Sequence, residues 1–115
     1  MLVPAISRGG VQDITSDCTV TSGASIKVYK ADNLLMIEGT TLPLTATAAV
    51  MVSLPNYITF PDTAHNFPCT ASPAGSTDYN KNVTVNLMTS AKQISAFASA
   101  NTTYGVLFHI TTLIN

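Results

Sequence analysis

The chain has 115 residues, enough for one domain with its own core, because folding at this size buries about two-thirds of the unfolded surface. Only 10% of the residues are charged, against about 25% in ordinary globular domains, so Thr, Ser, Asn and Ala must cover the surface. A formal net charge of -1 gives little repulsion to keep copies apart, which points to subunit interfaces, and five scattered Lys and Arg exclude a phosphate-neutralising nucleic-acid surface.

Residues 1–22 hold Pro4, Gly9, Gly10 and a polar TSDCTVTSG tract, and read as a lead-in with room for one edge strand. No charged segment followed by a long apolar stretch opens the chain, so neither a signal peptide nor membrane insertion is expected. The core domain is expected over residues 23–115, where short Val-, Ile-, Thr- and aromatic-rich runs recur between turn signals and helical periodicity is missing. That pattern predicts an all-β, compact antiparallel barrel or sandwich.

Residues 24–30 (ASIKVYK) alternate Ile26 and Val28 against Lys27 and Tyr29, and Asp32 and Asn33 supply a turn into a partner strand over 33–39. A further strand is expected at 40–47 (TTLPLTAT), on an edge because of Pro43. The next run, 48–54 (AAVMVSL), is apolar enough to be buried, with Val50, Val52 and Leu54 expected on one face. Pro55 ends that strand, and Tyr57 and Phe60 are expected to cover an end of the barrel before Pro61 opens a loop over 62–80. Within this loop a short strand is expected at 67–71, and the SPAGSTDYN tip should be exposed.

Residues 81–89 (KNVTVNLMT) alternate Val83, Val85 and Leu87 inward with Thr84, Asn86 and Met88 outward. They turn through Ser90, Ala91 and Lys92 into a strand over 93–98. Alternation on both sides overrides the helix propensity of SAFASA. A long strand over 103–114 closes the chain.

Catalytic chemistry has little to draw on. Asp62 and His65 stand three apart, but a metal site needs a third ligand and none is identifiable. His109 alternates with Leu107 and Thr111 and reads as a hydrogen-bonded strand residue. Cys18 and Cys69 fit no zinc spacing; they could bridge in an oxidising compartment, although their strand-like settings favour free, packed thiols. No phosphate-cradling glycine loop or nucleophile elbow is present, and the Asn82 and Asn101 glycosylation triplets match chance in a chain rich in Asn and Thr. No cofactor or metal is expected. The available groups suit a shallow saccharide site, with an aromatic face for the ring and amides or hydroxyls for its polar groups, and Asp78, Tyr79, Asn80 and Asn82 form one such cluster.

The order IKVYKADNLLMIEG, a Thr-rich run, AVMVSLPNYITFP, and NVTVNLMTSAKQISAFAS resembles the C-terminal head domain of receptor-binding proteins of tailed phages infecting lactococci or related Gram-positive bacteria. The likeness runs from about Ser25 to the C-terminus, through spacing more than identity, and is most specific in the strand ending Leu-Pro-x-Tyr with Pro61 downstream. It implies a homotrimeric, lectin-like head on the virion tail tip or baseplate, assembled in the host cytoplasm. Its partners would be other tail proteins and a host cell-wall polysaccharide or glycerol-phosphate polymer. Transferred residue by residue, the binding positions fall on Thr84, Asn86 and Phe97. The chain carries no Trp, and Thr and Asn stand where a His and an Asp are expected, which extends the candidates to Tyr79 and His65. A structural tail or capsid-decoration domain is the alternative, and a polysaccharide-degrading tail enzyme the third reading.

Overall fold

A computed structural model describes residues 10–63, 66–73 and 75–115. Among these residues ten strands make two antiparallel sheets packed face to face. The front sheet has the order β1 (Gln12–Asp13), β3 (Ser25–Ala31), β4 (Leu34–Thr40), β10 (Val106–Leu113), β7 (Thr70–Pro73). The back sheet has the order β2 (Thr19–Val20), β5 (Ala49–Ser53), β9 (Gln93–Ala98), β8 (Val83–Met88), β6 (Asn66–Pro68). The fold is therefore a sandwich and not a closed barrel.

The chain itself closes both flanks. On one, β1 and β2 sit at the same edge of opposite sheets, joined by a single 3-10 turn at Thr15–Asp17. On the other, β6 pairs with β8 and β7 with β10, so residues 66–73 switch sheets at Cys69, whose N–H donates to the Val85 carbonyl at 2.8 Å. The edge strands at both flanks are thus only two to four residues long, which gives another chain little to extend. The lead-in thus supplies two edge strands instead of one, and its Ile14 is buried with the core.

The hairpins follow the alternation in the sequence. In β3 and β4, Ile26, Val28, Leu35 and Ile37 point inward, and Asp32 takes a positive φ of 52° in the two-residue turn. In β8 and β9, Val85, Leu87, Ile94 and Ala96 face the core, with Lys92 at φ 56° in the connecting turn. SAFASA lies in β9 and its extension, with no helix. Both turns lie at the same end of the sandwich, the lower end.

Three expectations are corrected. Residues 41–48 are not a strand: they cross from the front to the back sheet over the upper end. Their polar groups bond to the antiparallel return crossing at 99–105 and the start of β10, with Leu44 N–H to Thr102 Oγ1 at 2.7 Å and Val106 N–H to Thr41 Oγ1 at 2.9 Å. Pro43 has no N–H for a ladder, and the chain here must change sheets. Second, Val50, Val52 and Leu54 do not share one face. A bulge between Val50 and Val52 turns both Met51 and Val52 wholly inward and leaves Val50 partly exposed on the outer face. Third, Tyr57 does not cover the lower end. That role falls to Ile58, wholly buried, and to Phe60, as the chain after Pro55 runs under the two sheets toward β6. Tyr57 points outward, 55% exposed, and donates its hydroxyl to Asp17 of the 3-10 turn.

Both cysteines are free thiols. Burial pushes each up to about 11, with Asp17 adding to the effect at Cys18.

Candidate functional site

The pleat sends Thr84, Asn86 and Met88 of β8 to the outer face of the back sheet, and Gln93, Ser95 and Phe97 of β9 to the same face. Register then pairs Thr84 with Phe97, and Asn86 with Ser95, while Val50 of β5 lies on the far side of Ser95. Three residues that the sequence placed on two strands are thus immediate neighbours. Directly opposed Cβ atoms in such a ladder, as for Thr84 and Phe97, sit about 4.5–5.5 Å apart, and diagonal ones, as for Asn86 and Phe97, about 7–8 Å, spacings that one sugar ring can bridge.

Phe97, the penultimate residue of β9, is 37% exposed. The Thr84 hydroxyl and the Asn86 amide have no hydrogen-bond partner among the described residues, whereas neighbours are engaged: Ser95 with Met88 Sδ at 3.7 Å, and Gln93 with Ser53 at 3.4 Å. No strand of the back sheet carries a charged residue. The charged residues of the strands, Asp13, Lys27, Lys30 and Glu38, all belong to the front sheet, as does His109. The outer face of these strands is therefore uncharged, with amides, hydroxyls and one aromatic ring beside the apolar Val50 and Met88.

The Thr84–Phe97 row lies near the upper end, where the loop over 75–82 enters β8. Here Asp78 departs from its expected role as a ligand contact. Its side chain is buried, and its carboxylate accepts the N–H groups of Thr103 at 2.9 Å and Tyr104 at 3.1 Å and an ion pair from Lys81 at 3.0 Å. The Thr103 N–H bond, then those from Tyr104 and Lys81, hold its pKa down at about 2 against the opposing effect of burial. Asp78 is a loop anchor. Tyr79 and Asn80 beside it are exposed, as the sequence indicated, with Tyr79 at 69%.

His65 lies outside the described residues. Asp62 borders a separate cleft of about 400 Å³ at the lower end, floored by Phe60 and walled by Leu34, Phe67 and Leu113. His109 stands on the outer face of the front sheet in a cross-strand row with Lys27, Glu38 and Thr70, and its Nε2 lies 3.3 Å from the Thr111 hydroxyl. Among the described residues no group of three or more His, Cys, Asp or Glu is arranged to hold a metal ion. Among them, too, no helix is long and apolar enough to cross a membrane.

Comparison of the chain with protein-family models, with curated proteins and with solved structures returns no match.

Proposed function

We propose that this domain is a non-enzymatic saccharide-binding head, the receptor-binding module with which a tailed phage adsorbs reversibly to a Gram-positive host. The observation that carries the reading is the convergence of Thr84, Asn86 and Phe97 on one uncharged face, with the amide and hydroxyl unpartnered among the described residues. An aromatic ring offers its face to the C–H side of a pyranose, while a free amide and hydroxyl donate to and accept from sugar hydroxyls. A site without formal charge suits the neutral sugars of a cell-wall polysaccharide, and its shallowness suits weak, reversible binding made firm by several copies acting together.

The copies would be three, in a homotrimer on the tail tip or baseplate. Support comes from the front sheet, whose outer face exposes Leu107 at 49% and Leu113 at 55% together with Leu34. The same leucines favour the second reading, a structural tail or decoration domain in which they serve assembly alone.

Co-sedimentation with purified lactococcal cell walls separates the two. The saccharide-binding head pellets with intact walls and stays in the supernatant with walls stripped of polysaccharide; equal partition with both would sink the reading.

A further inference from the structure

The loops at the upper end hold a second group of features that the back-sheet face does not use. Tyr79 is 69% exposed and Tyr104 is 55% exposed, and neither phenol hydroxyl has a hydrogen-bond partner among the described residues. They come from two loops far apart in sequence, the 75–82 connection before β8 and the 99–105 crossing before β10. One buried carboxylate ties these loops together. Asp78, adjacent to Tyr79, accepts the backbone N–H of Tyr104 at 3.1 Å and that of Thr103 at 2.9 Å. Bond geometry through that contact keeps the Tyr79 and Tyr104 Cα atoms within about 12 Å of each other.

A buried carboxylate is costly unless its partners are fixed, so its presence beneath an exposed loop needs a reason. The reason on offer is the geometry it imposes. Tyr104 is fixed a second time, because its ring lies against the Cα of Gly75, where any Cβ would overlap it. Lys81, the cation of this loop, is drawn onto Asp78 at 3.0 Å, which leaves the pair of rings in a locally neutral setting. Exposed tyrosines give large contact area with few rotatable bonds to freeze, which lowers the entropic cost of binding.

We infer that Tyr79 and Tyr104 form a second aromatic subsite for a neutral pyranose, held in place by Asp78 as a positioning residue at the upper end of the sandwich, the end near which the Thr84–Phe97 face lies. This rests on the saccharide reading of that face, and extends it from a single ring to a stretch of polymer. Tyr104 and Asp78 take roles that the sequence did not assign them: the former contacts the ligand, and the latter only orients it.

The test is titration of the intact protein with methyl glycosides of glucose, galactose and N-acetylglucosamine and with a purified cell-wall polysaccharide, followed by NMR of the tyrosine and phenylalanine ring resonances. Resonances of Tyr79 and Tyr104 should shift saturably. Tyr79→Ala and Tyr104→Ala should each weaken polysaccharide binding by about tenfold, while Tyr79→Phe and Tyr104→Phe stay within about twofold of wild type. Asp78→Asn should broaden or shift the Tyr104 ring resonances before any sugar is added, a readout that mere loss of stability would not confine to that ring. If the double variant Tyr79→Ala/Tyr104→Ala binds as wild type does while Phe97→Ala loses binding, this subsite is wrong and the back-sheet site stands. If the tyrosine variants lose binding and Phe97→Ala does not, the tyrosines still contact sugar, but the back-sheet site falls and with it the extension of that site to a stretch of polymer. Wild-type protein with no saturable shifts overturns both.

Discussion

The backbone N–H of Asn115 donates to the carbonyl of Thr59 at 2.9 Å, and its side-chain amide donates to the Thr59 hydroxyl at 3.2 Å. The end of β10 is thereby latched to the segment that crosses the lower end of the sandwich, and Ile114 beside it is buried against the core. The prolines of VMVSLPNYITFP make sense in this setting. Pro55 releases the chain from β5, Ile58 and Phe60 fill the end between the sheets, and Pro61 leads away toward β6.

This predicts a sharp contrast between neighbours. Ile58→Ala leaves a cavity in a wholly buried position and should cost about 2–5 kcal/mol in chemical denaturation. Tyr57→Phe removes one exposed hydrogen bond to Asp17 and should cost no more than about 1 kcal/mol. A larger loss at Tyr57 than at Ile58 would contradict the end-plug assignment.

The Asp78 anchor predicts a pH dependence. Its pKa is lowered to about 2 from 3.8, so the folded state prefers the carboxylate. The stability it contributes is fully present above about pH 4 and is lost as pH falls through the folded value near 2. Asp78→Ala should lower the melting temperature at pH 7 by roughly 10 °C, and the difference from wild type should shrink below pH 3. A difference independent of pH would show that the carboxylate charge is not what holds the two loops.

Both thiols are raised to about 11 by burial, against 9.0 for an open cysteine. Two units remove about 99% of the reactive thiolate at neutral pH, so alkylation by iodoacetamide at pH 7.5 should run roughly 100-fold slower than with free cysteine. Mass spectrometry of the time course checks this. Reductant should leave the melting temperature unchanged, since no disulfide joins Cys18 and Cys69.

Much of this was legible because it is local. The β3–β4 and β8–β9 hairpins could be read from alternation and turn residues, since each strand meets its neighbour a few residues away. Thr84, Asn86 and Phe97 came together for the same reason: one hairpin sets their register. The rest depends on partners distant in sequence. The bulge at Met51 is set by β9, more than 40 residues later, and the crossing over 41–48 is fixed by Thr102 and Val106. Asp78 stood in a polar tract that signals an exposed turn, and nothing nearby announces the two N–H donors of Thr103 and Tyr104. Tyr104 itself was absorbed into the long strand expected over 103–114. The polar NTT tract before it and Gly105 after it were the signals that a crossing loop ends there.

The front-sheet leucines give a prediction about assembly. Leu107→Glu and Leu113→Glu place charge on an exposed sheet face and should leave the monomer fold intact. Multi-angle light scattering should show a trimer for the wild type and a monomer for the double variant. A wild-type monomer at micromolar concentration would remove the trimeric head.

The central claim is that the face of Thr84, Asn86 and Phe97 binds saccharide, and isothermal titration calorimetry of wild type and Phe97→Ala with purified Gram-positive cell-wall polysaccharide tests it most directly. The account predicts saturable heat for the wild type, with a dissociation constant between about 10 μM and 1 mM, and binding at least about tenfold weaker for Phe97→Ala at unchanged thermal stability. Equal affinity for the two proteins, or no heat from a folded wild type at millimolar sugar, would contradict it.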